Sequence, residues 1–330
     1  MNLSPDPYPS SFKARNQWVI SRRGKRNLVD QRVPYAFLKE RELASDGHLT
    51  EVVTIFLTNR ECPWKCFMCD LWQNTLEDPV ASGTIPAQIT FALNKLEIPL
   101  SGPERAAFQI KLYNSGSFFD PKAIPVQDYS AISDTVNGFG NLIVESHPRL
   151  IGDRCLQWKH SVSSPLEVAM GLETANSDAL GRLNKGFQLG DFQRACETLQ
   201  SAGIAIRVFL LVNGPFIRPQ EQREWVRRSV EFAKTAGASV ICLIPTRHDS
   251  GAIRELCLSG QFVPTVLSQL EIAFDDALLA GGVRLFADLW DLRSFSQCDQ
   301  CFNQRLARLE KMNEKQILID RVDCSHCDGN

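Results

Sequence analysis

The sequence has no run of about 18 uninterrupted apolar residues, so no membrane-spanning helix is expected. Its opening stretch, MNLSPDPYPSSFKARN, has no apolar core of the signal-peptide kind, so export is not expected and a cytoplasmic location is. Net charge is only −2, and the electrostatics of the whole chain do not mark a nucleic-acid binder. No repeat at a fixed period and no low-complexity tract is present. The 330 residues, 44% of them hydrophobic, suffice for a sizeable core in one large domain or two smaller ones.

Charge is uneven along the chain. Residues 13–42 carry nine Lys or Arg against three acids, a solvated basic arm or, on the sharper reading, a patch that touches phosphates. Eleven cysteines without an export signal argue against a disulfide framework, because the cytosol keeps thiols reduced. Seven fall in tight groups: Cys62, Cys66 and Cys69; Cys298 and Cys301; Cys324 and Cys327. The remaining four, Cys155, Cys196, Cys242 and Cys257, sit in apolar or helical stretches and read as core. Clustered thiols in a reducing compartment mean metal.

From about residue 51 to 245, apolar runs of strand length alternate with amphipathic stretches of helix length. Strands are expected at 52–57, 108–113, 142–145, 166–173, 204–212 and 239–245, with helices between them. Six β-then-α units in a row predict an α/β fold, a partial (β/α)6 TIM-like barrel of parallel strands with helices outside. Residues 1–50 read as a basic N-terminal segment, 51–250 as the core and 251–330 as a small Cys-rich C-terminal extension. In such folds chemistry gathers at the carboxyl ends of the strands.

The loop Cys62-Pro-Trp-Lys-Cys66-Phe-Met-Cys69 follows the first strand directly. Three thiolates on one short loop can take three corners of a [4Fe–4S] cluster. No fourth Cys or His lies nearby in sequence, so one iron would stay open to another ligand. The competing readings are a zinc site or three unrelated core cysteines. Structural zinc takes four protein ligands, and core cysteines rarely crowd into a loop containing Pro63 and Lys65. This C-x3-C-x2-C loop, placed after the first strand of a six-unit β/α domain, resembles the radical S-adenosylmethionine superfamily. The resemblance implies that Cys62, Cys66 and Cys69 hold a [4Fe–4S] cluster whose open iron binds S-adenosylmethionine. It also places Met68, next to the third cysteine, against the cofactor's adenine. The superfamily usually has an aromatic residue there, and here the aromatic Phe67 lies one place earlier.

Further motifs sit at the other strand ends. Asn114, Ser115 and Gly116 follow the second strand, where the superfamily binds the cofactor's amino group. Glu145 follows the third. Gly171-Leu-Glu173-Thr through Asn184-Lys185-Gly resembles the corresponding stretch of the Elongator catalytic subunit, the methylthiotransferases and the coproporphyrinogen oxidases. That resemblance places Glu145, Glu173 and Lys185 near the cofactor. The pairs Cys298/Cys301 and Cys324/Cys327, 22 residues apart, fit a four-thiolate zinc site or a second cluster.

The stretches Asn59 through Trp72, Tyr113-Asn-Ser-Gly-Ser-Phe118 and Val144-Glu-Ser-His-Pro148, with the terminal cysteines, resemble the radical-enzyme subunits of archaeosine synthase. This implies action on tRNA, carbon–nitrogen cleavage on a lysine-modified 7-deazaguanine, a lysine-transferring partner subunit and a flavodoxin or ferredoxin reductant. A radical enzyme on a small molecule or peptide, and a non-catalytic iron–sulfur protein, are the alternative classes. Replacing Cys62, Cys66 or Cys69 by Ala is expected to abolish cluster assembly, read as iron and sulfide in anaerobically purified protein. Full iron content in any of the three variants would contradict the assignment.

Overall fold

A computed structural model describes residues 8–248 and 250–326. Eight strands form one sheet in chain order: β1 (Ala36–Leu43), β2 (Leu49–Phe56), β3 (Phe108–Tyr113), β4 (Asn141–Glu145), β5 (Leu166–Glu173), β6 (Ala205–Val212), β7 (Val240–Pro245) and β8 (Arg284–Ala287). β1 and β2 are an antiparallel hairpin; every pairing from β2 to β8 is parallel. The ten helices among the described residues are α1 (Phe12–Ser21), α2 (Thr84–Lys95), α3 (Asp128–Val136), α4 (Asp153–Lys159), α5 (Ser177–Arg182), α6 (Leu189–Ser201), α7 (Gln222–Thr235), α8 (Gly251–Leu258), α9 (Leu267–Ala280) and α10 (Phe302–Lys315). The expected α/β half-barrel is present, with two additions. β8 extends the parallel sheet by one strand, and β1 adds an antiparallel edge drawn from the basic segment.

Strand alternation separates two environments. Outward side chains such as Val53, Ile55, Ile110, Leu112, Val144, Val168, Met170, Val208 and Leu243 join the helices in the main apolar core. Inward side chains mix a charged network with apolar residues, among them the small cluster of Val240, Cys242 and Phe286. Arg207 on β6 donates to Glu167 on β5 at 2.5 Å and crosses to Glu42 on β1, its Nη1 reaching Oε2 at 3.0 Å. Lys111 on β3 reaches Glu42 at 2.7 Å and Glu40 at 2.9 Å. In a flat sheet β1 and β6 would stand about 24 Å apart, at about 4.8 Å per strand. One arginine bridges them only because the sheet curls. The edges also meet directly, where Arg284 on β8 donates to the Leu43 carbonyl on β1 at 3.0 Å.

Burial alone would raise the Glu42 carboxyl, but Arg207 and Lys111 beside it hold it well below the ordinary carboxylate range. Such a network is stable only while every charge keeps its partner. At the carboxyl end of the chain, α10 packs on α9 through Arg305–Glu271 and through Arg308–Asp275 at 2.6 Å. The tail after α10 turns back along it, its Ile319 carbonyl taking Arg308 at 2.9 Å.

Removing one partner of the lumen network leaves an uncompensated buried charge. Arg207→Met is therefore expected to cost roughly 3–5 kcal/mol of stability. Arg41→Met, which breaks the exposed pair with Glu314, should cost no more than about 1 kcal/mol. Denaturant melts check both, and equal losses would contradict the reading.

Candidate active site at the carboxyl ends of the strands

The cysteine loop is held by its neighbours rather than by itself. As β2 ends, the Gln88 amide from α2 clamps Thr58, accepting from its N–H and donating to its carbonyl, both at 2.8 Å. A short bridge between Arg60 and Leu76 closes the loop's base. Glu61 gathers Arg23 at 2.8 Å, Lys65 at 2.5 Å and Arg26. Within the loop, Phe67 donates its N–H to the Leu183 carbonyl at 2.9 Å, and the Lys65 carbonyl accepts from the Asn184 amide at 2.8 Å. The Phe67 ring is fully buried between Trp18 of α1 and Phe216. Trp64 stacks flat on His147, with ring centroids 3.4 Å apart.

His147 links this stack to the next strand end. Its Nδ1 accepts from the Arg149 N–H at 3.2 Å, so Nε2 carries the proton and donates to the Lys185 carbonyl at 2.8 Å. Burial holds its pKa down at about 3, and the ring is neutral.

The sequence-predicted residues meet at this end of the sheet. Gly116 lies against Cys62 so closely that a Cβ added to it would stand 3.2 Å from the cysteine's own Cβ. Glu145 accepts from the backbone N–H groups of Asn114 and, at 3.3 Å, Gly116. It thereby shapes the loop, and burial raises its pKa to about 7. Glu173 and Lys185 pair with each other at 2.5 Å, and both charges act on Cys66. Both atoms of the Asn114 side-chain amide are buried with no hydrogen-bond partner, an arrangement that costs free energy until a ligand or water meets it. Met68 packs against the small apolar cluster of Trp18, Phe67, Leu211 and Phe262. Burial pushes all three loop thiols up, Cys69 to about 12, and neighbouring sulfurs add to the rise at Cys62 and Cys69.

Backbone strain collects here too. Ser115, Glu173, Asn184, Asn213 and Phe216 all have φ between 53° and 68°, the left-handed region that side chains rarely adopt. Non-glycine residues persist in it where the surrounding structure over-determines them, which happens at functional sites. Gln88 was not singled out by sequence, and Trp64, His147 and Asn184 were read only as members of motifs, with no role of their own. Their partners lie far along the chain, and only the position of His147 just past a strand hinted at a role.

The terminal cysteines form a separate centre. Sulfurs of Cys298, Cys301 and Cys324 all lie within 4.8 Å of one another, the only such three-ligand group among the described residues. The Cys298 and Cys324 sulfurs are 3.9 Å apart. A tetrahedral zinc with bonds of about 2.3 Å would set them about 3.8 Å apart, so the donor set fits one ion. Cys327 lies outside the described residues.

Fold and loop together, an α/β half-barrel with a three-cysteine loop at its carboxyl mouth, resemble the radical S-adenosylmethionine proteins. No family model matches the chain. It is similar to archaeosine synthase subunit beta of Methanosarcina acetivorans, 26% identical over 230 residues, covering 66% of this chain and 64% of that protein. An uncharacterised protein of Methanocaldococcus jannaschii is 22% identical over 328 residues, covering 92% of this chain and 87% of its own. Among solved structures, Elp3 of Methanocaldococcus infernus aligns with a TM-score of 0.47 at 16% identity, over 62% of this chain and 50% of that one. The relatives bear out the resemblance to the archaeosine synthase proteins read from sequence.

The His147 geometry has a consequence for pH. An unfolded histidine titrates near 6.5 and this one near 3. Its contribution is therefore complete above pH 6.5 and drains away as pH falls, by roughly 1.4 kcal/mol per unit until the folded group titrates. His147→Gln should flatten the fall in melting temperature between pH 7 and 5. Parallel melting curves for variant and wild type would contradict this.

Proposed function

We propose that the chain is a radical S-adenosylmethionine enzyme that modifies a 7-deazaguanine base in tRNA, by archaeosine-type carbon–nitrogen cleavage of a lysine-modified base. The observation that carries the class is the loop of three thiols at the carboxyl ends of the strands, pinned by the segments that follow neighbouring strands. Cys62, Cys66 and Cys69 would hold a [4Fe–4S] cluster. Bound together, cluster and S-adenosylmethionine supply a deoxyadenosyl radical able to take a hydrogen atom from an unactivated carbon.

The chain's own residues supply binding and shape. The unsatisfied Asn114 amide and the Ser115–Gly116 backbone are suited to a polar ligand beside Cys62, with Glu145 holding that loop in place. The Glu173–Lys185 pair presents one charge of each sign next to Cys66, complementary to the ammonium and carboxylate of an amino-acid moiety. Met68 offers an apolar surface for an adenine ring. Cys298, Cys301 and Cys324, with Cys327, would hold a structural zinc that ties the tail to α10, a second cluster being the alternative. The tRNA substrate and the lysine-transferring partner follow from likeness to the archaeosine synthase relatives. The chemistry requires a one-electron donor of flavodoxin or ferredoxin type, and the cytoplasm supplies both donor and reducing conditions.

The test is anaerobic incubation with dithionite and S-adenosylmethionine, with and without bulk tRNA, scoring deoxyadenosine and methionine. We expect cleavage that tRNA stimulates, with hydrogen transfer from the modified base. Cleavage indifferent to tRNA would move the substrate to a small molecule or peptide. No cleavage at all would leave a non-catalytic iron–sulfur protein.

A further inference from the structure

The carboxyl end of β8 carries a feature the cofactor site does not use. Trp290 is 59% exposed, an unusual place for the largest apolar side chain. It is also held in position. Its backbone N–H donates to Asp288 at 3.0 Å, its carbonyl accepts from Arg247 at 2.9 Å, and Arg247 in turn reaches Asp288 at 2.9 Å. Asp291 follows in the left-handed region, closing the turn. An indole kept in water on a pinned turn is presented, not stranded.

The ring is the outer end of an aromatic wall. Trp290 lies 6.4 Å from Phe56, the last residue of the strand that leads to the cysteine loop. Phe56 contacts Tyr113 at 6.0 Å and Tyr35 at 5.6 Å, and Tyr113 contacts Phe209 at 6.1 Å. Tyr35 then hydrogen-bonds Ser115 at 2.9 Å, beside the glycine that abuts Cys62. The wall therefore runs without a gap from solvent to the site. Phe56, Tyr113, Phe209 and Tyr35 all keep part of their surface exposed, so this inner face of the sheet is not closed core.

We propose that Trp290 is the stacking platform for the nucleobase that enters the site, with Asp288 and Arg247 at its edge reading the base's hydrogen-bonding groups. A flat heterocycle lifted out of RNA structure is recognised by stacking on an aromatic face and by polar groups along its rim. Trp290 offers the face, and the Asp288–Arg247 pair that holds its backbone puts an acceptor and a donor group close by. This rests on the reading that the substrate is a base, and it adds the residue that selects one.

Equilibrium dialysis of 7-deazaguanosine monophosphate against anaerobic, cluster-loaded protein tests the platform, comparing wild type, Trp290→Phe and Trp290→Ala. Iron content per chain checks that the variants fold. The expected result is binding by wild type, loss within about threefold for the Phe variant, and a loss of about tenfold or more for the Ala variant, the size of one base stack. In the tRNA reaction the Ala variant should raise KM far more than it lowers kcat. If wild type binds and the Ala variant binds equally well, the platform is wrong and the base substrate stands. If wild type binds no nucleotide at all, the base substrate itself is wrong, and the platform falls with it.

Discussion

The structure depends on fixing the shape of one short loop that carries three cysteines. The eight residues from Cys62 to Cys69 have too few internal hydrogen bonds to do this. Asn184, Leu183, His147 and Gly116 do it from three other strand ends, by a carbonyl held, an N–H taken, a ring stacked and a side chain omitted. The strained φ angles of Ser115 and Glu173 belong to the same requirement, because these loops must turn sharply to bring their groups back over the sheet. Strain of that kind is borne by the apolar packing outside the strands, where helices cover an almost continuous hydrophobic surface.

The inner face follows a different rule. A half-barrel that admits a substrate cannot fill its lumen with leucine and valine. The end away from the site is instead closed by Arg207, Glu42, Glu167 and Lys111, which satisfy one another and fix the curl of the sheet. Above that plug the lining becomes aromatic and partly exposed. Charge thus sets the curvature, and the curvature sets the distance between the cysteine loop and the mouth at β8.

Much of this was legible in the amino-acid sequence, and the rest was not for identifiable reasons. Strands β3 and β5 were read residue for residue, because a buried parallel strand is a nearly unbroken apolar run bounded by turn residues. β1 was hidden in the basic segment, since its inward positions carry Glu40 and Glu42, whose partners lie on β3 and β6. The cysteine groups were legible from spacing alone. Glu145 and Glu173 lie at the ends of β4 and β5 and Lys185 beyond α5, but sequence could not tell that Glu145 grips the backbone of a neighbouring loop or that the other two pair. Trp64 on His147, and Trp290 beside Phe56, are contacts between distant segments and leave no periodic trace.

The most direct measurement is the electron paramagnetic resonance spectrum of dithionite-reduced, anaerobically purified protein before and after adding S-adenosylmethionine. The account predicts a cubane signal that changes when the cofactor binds the open iron. A preparation without a cubane, or one whose signal ignores the cofactor, would contradict it.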